Sequence, residues 1–308
     1  MRINTRRPSG RLLRLERGRI MKMNEYPLVT IVTPSYNQAD YLERTILSVL
    51  NQDYPRIEYI VIDGGSTDAS IDIIKKYEDR IAFWISEPDN GQSHAINKGF
   101  KHATGEIFNW LNSDDVLMPS ATTIAVHYLT TYPQYGMVYG DRLVVDQHDQ
   151  ALACIELPSF SRFLYHFGGF LPQETSFFRR ELWRQANGLD EDLHISMDRD
   201  LWLKFMKVGK LYHIPFVLGS WREHASAKSC LSFGASRTSD NGHQEKKQVE
   251  ARHTGRIYHS AALRRVAHKV DKLRAIAEKY SRKRKREISV IRDVVGSARD
   301  GNGSPEGK

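Results

Sequence analysis

Cysteine is scarce in this chain: 308 residues hold two, Cys154 and Cys230, far apart and in no metal-ligand spacing. That excludes a disulfide framework and a cysteine-based zinc site, and it points to a reducing compartment. No stretch approaches the roughly 18 consecutive apolar residues a membrane span requires. The N-terminal segment is rich in arginine but lacks the apolar stretch of a secretory signal. A cytoplasmic protein is therefore expected, with peripheral attachment at the inner face of a membrane as the other setting. No internal repeat is visible. The 40% apolar composition is enough to bury a sizeable α/β core.

Charge of one sign is missing from the body of the protein and gathered at its ends. The formal net charge is +8, yet residues 1–22 carry eight Lys/Arg against one acid and residues 246–308 carry 18 against seven, so residues 23–245 are net acidic. Basic arms flanking an acidic body fit attraction to anionic lipid headgroups. The run Arg282-Lys283-Arg284-Lys285-Arg286 has only Tyr258 and Tyr280 near it to stack on bases, so no nucleic-acid partner is expected. Met21 and Met23 lie just before the first periodic segment, compatible with residues 1–20 standing outside the fold. The expected organisation is a flexible basic extension over 1–24, one α/β domain over 25–240, a basic helical extension over 241–295 and a disordered tail over 296–308.

Within the body, Leu28 to Val32 reads as a strand that stops at Thr33-Pro34-Ser35-Tyr36-Asn37, and helical spacing follows from Asp40. The pattern repeats with a strand from Ile57 to Ile62, a loop from Asp63 to Asp68 and a helix from Ala69 to Tyr77. Ile81 to Ile85 and Glu106 to Leu111 are further strands around a helix from Gln92 to His102, and a helix is expected to start at Pro119. Consecutive strand-loop-helix units imply a parallel sheet. Beyond it, strands are expected over 136–146, 173–178 and 211–221, with a helix over 197–208. Ligands bind at the carboxyl ends of parallel strands. The polar loops Thr33–Asn37, Asp63–Asp68 and Asn112–Asp115 all fall there.

The last of these loops carries the strongest chemistry. Adjacent carboxylates leaving a strand repel one another unless a cation or solvent relieves them. Helix capping explains one acid of Asn112-Ser113-Asp114-Asp115; a divalent hard cation, Mg²⁺ or Mn²⁺, bridging to phosphate oxygens explains the run.

Pro27 to Asn37, Ile62 to Asp68, Asn90-Gly91 with Ala95, Asn97 and Gly99, and Leu111 to Asp115 together resemble the family 2 glycosyltransferases. The resemblance spans roughly residues 26–225. It implies a GT-A type, Rossmann-like, mostly parallel sheet flanked by helices, with the basic helical C-terminal extension outside it. It implies inverting transfer of a sugar from a nucleotide-diphosphate donor, a UDP-sugar, to a glycan or lipid-linked hydroxyl, in the setting of polysaccharide assembly. Thr33, Pro34, Ser35, Tyr36 and Asn37 match the segment that packs on the base, and Asp63 the acid that accepts from a uracil N–H. Ser66, Asp68 and Gly91 match further donor positions, with Asp68 equally readable as a helix N-cap. Asn112, Ser113, Asp114 and Asp115 occupy the acidic element, with Asn replacing the usual first acid, Asp114 as metal ligand and Asp115 in support.

By the same resemblance, Asp198 holds the position of the general base, with Asp200 as runner-up. As the first acid of a helix it is also readable as a cap, and the helix dipole lowers its basicity unless desolvation restores it. Gln173, Glu174, Asp200 and Trp202 fall on the acceptor side. Arg222 matches a phosphate partner and His224 a second metal ligand. The rival readings are a nucleotidyltransferase, which would carry a Gly-rich basic loop after the first strand, and a nucleotide-sugar-binding module without catalysis.

Overall fold

The computed structural model describes residues 26–157, 159–166, 170–228, 241–254 and 266. The basic N-terminal arm, the Arg282–Arg286 run and the C-terminal tail lie outside the described residues, as does the membrane role expected of them. None of the described helices is long and apolar enough to cross a membrane.

Strand β1 (Val29–Ser35) is buried along all seven residues because it is flanked on both sides, by β2 (Ile57–Asp63) and β4 (Ile107–Trp110), each parallel to it. Strand β3 (Phe83–Ser86) extends this parallel half beyond β2. Both faces are covered, which is why these strands read as continuous apolar runs. Alternation then sorts the side chains: Val32, Ile60 and Ile62 enter one core, while Val29, Ile31, Tyr59 and Val61 enter the other. The first core packs under α3 (Gln92–His102), α6 (Arg180–Ala186) and α7 (Met197–Val208). The second packs under α1 (Ala39–Leu50), α2 (Ser70–Lys76) and α4 (Ala121–Thr131).

The second half mixes directions. β5 (Val116–Leu117), β6 (Met137–Val145), β7 (Ala151–Ile155), β8 (Ser176–Arg179) and β9 (Leu211–Arg222) complete a nine-stranded sheet in the order β3-β2-β1-β4-β8-β6-β9-β5, with β7 beside β6. The α/β architecture is the expected one, with corrections of detail. Pro119 does not open α4; the helix begins at Ala121 behind Ser120, which is left-handed and donates to Asp53 Oδ2 at 2.7 Å. Gln173 to Thr175 are not strand but the turn before β8, and β8 lies between β4 and β6 rather than at an edge. The short elements β5, β7, α5 (Arg162–His166) and α6 lack periodicity enough to be read. A final helix, α8 (Asn241–Thr254), packs on α7 although it starts where a separate extension is expected.

Helix α3 approaches the sheet closely at Gly99. A Cβ there would stand 2.4 Å from Val32 Cγ1 and 3.3 Å from Ile62 Cγ1. Val32 is fully buried and stiff about χ1, so it has nowhere to move. Alanine gains about 1 kcal/mol of helix propensity, but overpacking costs about 1–3 kcal/mol. Gly99→Ala should therefore lower stability in denaturant melts, by roughly 1 kcal/mol net.

Candidate active site

The loops after β1 and β2 are laced together. Asn37, with φ of 51°, donates its N–H to Ser66 Oγ at 2.8 Å, and its Oδ1 accepts from the Thr67 N–H at 2.8 Å. Gln38 N donates to Ser70 Oγ, and Asp68 accepts from the N–H groups of Ala39 (3.0 Å) and Ser70 (2.9 Å), so one carboxylate serves the N-termini of both α1 and α2. Asp63 is wholly buried. Its Oδ2 accepts from Gly65 N, Ser66 N and Ser86 Oγ, and its Oδ1 accepts from Ser66 Oγ at 2.5 Å. Thr33 accepts from the Tyr59 hydroxyl in the core. Tyr36, 61% exposed, stands at the rim, and the buried Ser35 hydroxyl has no partner among the described residues.

A cavity of about 1250 Å³ opens over these strand ends, lined by Pro34, Ser35 and Tyr36, by Gly91 and Gln92 at the start of α3, and by Asn112 to Asp115. Asn112 Oδ1 accepts from Gln92 Nε2 at 2.7 Å, and its Nδ2 donates to Asp115 Oδ2 at 3.3 Å. Thr45 Oγ1 of α1 meets the carbonyls of Ser113 (2.9 Å) and Asp115 (2.7 Å), fixing the turn. Asp115 is buried, and burial first, then the charges of Asp114 and Glu174, raise its pKa well above the ordinary carboxylate value.

The opposite wall carries Asp198, in the first turn of α7, with Gln173, Glu174 and Arg142. Desolvation pushes the Asp198 pKa up to about 6, against the opposing pull of the Arg199 N–H and of the Arg199 and Arg142 charges. The basicity that the helix dipole removes is thus restored by burial. Arg142 of β6 grips Glu174 through two parallel bonds of 2.6 and 2.8 Å and lies over the rings of Phe170 and Trp221. Gln173 donates to the carbonyl of Trp110, tying this wall to the end of β4.

Asp114 and His224, 110 positions apart, meet with Oδ2 and Nε2 at 3.1 Å. His224 Nδ1 lies 2.9 Å from Ser226 Oγ, and its ring packs on Tyr41. In the tautomer that donates from Nδ1 to Ser226, Nε2 and the carboxylate face each other with lone pairs, an arrangement a shared cation relieves. The pair therefore fits a divalent metal. Among the described residues no cluster of three or more His, Cys, Asp or Glu could hold a metal ion.

Other expected site residues lie elsewhere. Trp202 is in the core, stacked on Trp110 at 5.4 Å, and Asp200 is buried against Lys204 (2.8 Å) and His253 (2.7 Å), so neither lines the acceptor side of the cavity. Arg222 turns inward rather than toward a phosphate: its guanidinium bonds the Asp114 carbonyl (2.9 Å) and Asp149 (2.6 Å) and lies against Tyr41. It braces the acidic run from behind. Asp63, Asn37, Ser66 and Asp68 hold the loops without lining the cavity. Sequence reading passed over Arg142, Gln92 and Tyr41. An arginine interrupting the apolar run of β6 is the one signal that could have flagged the first.

The family model for glycosyl transferase family 2 matches residues 30–177. Over 217 residues the chain is 34% identical to an uncharacterised glycosyltransferase of Rickettsia prowazekii (strain Madrid E), covering 67% of each. Among solved structures, residues 1–349 of S. aureus TarS in complex with UDP-GlcNAc superpose with a TM-score of 0.54 at 18% identity, over 64% of this chain and 59% of that one. The mannosyltransferase PcManGT of Pyrobaculum calidifontis, in complex with GDP-Man and Mn²⁺, superposes with a TM-score of 0.56 at 21% identity, over 78% and 66%. These likenesses bear out the GT-A fold. With a relative 34% identical over two thirds of both chains, and a family model covering the loops after β1, β2 and β4, this protein is a glycosyltransferase belonging to glycosyl transferase family 2.

Proposed function

We propose that the protein is an inverting, metal-assisted transferase that moves a sugar from a nucleoside-diphosphate donor, a UDP-sugar, to the hydroxyl of a glycan or lipid-linked acceptor. The observation that carries this reading is that one cavity is walled on one side by Asp114, backed by the buried His224, and on the other by an aspartate whose pKa is raised to about 6. Asp198 accepts the proton of the attacking hydroxyl. A displacement at the anomeric carbon with one base on the acceptor side inverts configuration and requires no nucleophile from the chain. The rim tyrosine Tyr36 stacks on the base, and Ser35 and the Asp63 loop shape its slot. Asp63, buried behind this slot, acts on it through the Gly64–Gly65 turn, which its carboxylate holds by bonds to the Gly65 and Ser66 N–H groups. Asp114 and His224 would hold Mg²⁺ or Mn²⁺, and the chemistry such an ion would supply is Lewis-acid stabilisation of a departing diphosphate. The TarS and PcManGT complexes support a nucleotide-sugar donor while differing in base, so the choice of uridine rests on the family resemblance at Asp63 alone.

Asp198→Asn should reduce transfer by roughly 10²- to 10⁴-fold while leaving donor binding by calorimetry within about threefold; weakened binding with transfer intact would remove Asp198 from this role. The base must be ionised to act. In the wild type kcat/KM should therefore be full at neutral pH and fall as pH drops through about 6, with Asp198 becoming protonated.

Chelation should abolish nucleoside-diphosphate release in the wild type, with recovery on adding Mn²⁺ or Mg²⁺, and Asp114→Ala should lose both the activity and the recovery. A wild-type protein that binds donor sugars in metal but releases no diphosphate with any acceptor would instead be a binding module.

A further inference from the structure

Helix α8 lies beyond the residues that the family resemblance covers, and its charge reads as that of a solvated basic tail. Its contacts are of another kind. Glu245 accepts backbone N–H bonds from His194 (3.1 Å), Ile195 (2.7 Å) and Ser196 (2.6 Å), the three residues that lead into α7 and that themselves line the cavity. Glu250, 2% exposed, pairs with the buried Arg199 at 2.9 Å, and His253 meets buried Asp200 at 2.7 Å. Val249 is fully buried in the core that holds α7, and Lys246 lines the cavity. Arg199 and Asp200 immediately follow Asp198.

We propose that α8 is part of the active site and that Glu245 is a positioning residue, holding the 194–196 wall and the first turn of α7 so that Asp198 meets the acceptor hydroxyl. This rests on the assignment of Asp198 as base. A carboxylate that accepts three successive N–H groups is a charge-assisted clamp on a loop that otherwise has no regular structure. A misplacement of about 1 Å at a reacting group can cost roughly 10²-fold in rate. The 194–196 wall is one contributor to the burial that raises Asp198, so Glu245 bears on that basicity as well as on position.

The test uses the full chain. Glu245→Ala should lower kcat for transfer roughly 10- to 100-fold with donor KM and nucleoside-diphosphate Kd within about twofold. The acid limb of its pH profile should move below 6, toward an ordinary carboxylate, as water reaches Asp198. Glu245→Gln, which keeps an acceptor oxygen, should recover part of both. Arg252→Ala, which breaks the half-exposed pair of the same helix with Asp190, is the control and should retain wild-type kcat. A folded Glu245→Ala protein with wild-type kcat and pH profile overturns the proposal. Should that variant fail to fold, hydrogen exchange in the wild type decides: the amides of His194, Ile195 and Ser196 should be protected, and exchange at free-loop rates overturns the clamp. Transfer surviving in Asp198→Asn would refute the base assignment, whereas an inactive Asp198→Asn beside a fully active Glu245→Ala refutes only the role of α8.

Discussion

The stacking of Trp110 on Trp202 joins the two halves of the site. Trp110 is the last residue of β4, one residue from the Asn112–Asp115 run, and Trp202 lies one helical turn beyond Asp198. The rings are 5.4 Å apart at 21°, with Phe178 against the edges of both. Neither indole N–H has a partner among the described residues. A buried, unpaired donor costs about 1–3 kcal/mol. Burying an indole removes about 150–250 Å² from water, worth about 4–6 kcal/mol at 25 cal/mol/Å². Packing wins, and the outcome is a rigid spacer between the acidic run and the base.

Around that spacer the cavity concentrates negative charge. Asp89, Asp114, Asp115, Glu174, Asp198 and Glu223 line it, against Arg142 and Arg199, already committed to Glu174 and Glu250, and against Lys228 and Lys246. Asp115 responds by favouring its protonated form, and Asp198 does so in part. A diphosphate brought to such a wall without a cation would meet repulsion from Asp114 at close range. Burial, with a smaller push from Glu174, raises the base, while the crowding of Asp114 and Asp115 is what the metal of the proposed mechanism would relieve. Asn112 fits this economy. Its neutral amide links Gln92 to Asp115 where a third acid would add repulsion with no ligand to relieve it.

The parallel half was legible because strands covered on both faces leave unbroken apolar runs, and because Asp68 and the polar loops mark each strand end chemically. Asp114, Asp115 and Asp198 were legible through motif spacing. What escaped was set by partners distant in the chain. Nothing local tells that Arg142 pairs with Glu174, or that Arg222 turns inward to Asp149 rather than outward to a phosphate. Trp202 illustrates the same limit: within its motif it falls on the acceptor side, and only the stack on β4 makes it core.

The contacts of helix α8 escaped the sequence for a related reason, since averaging its charge hides how the charge is arranged. Its acids, Glu245 and Glu250, face α7, while its bases Lys247 and Arg252 stay exposed. Successive helical residues are about 100° apart, so Arg199, Asp200 and Trp202 leave α7 in three different directions. Arg199 and Asp200 are held by Glu250 and His253 of α8, and Trp202 by Trp110 of β4. Three anchors around one axis fix rotation as well as distance. With Glu245 closing the loop that enters the helix, Asp198 has one direction left in which to point, and that direction is the cavity.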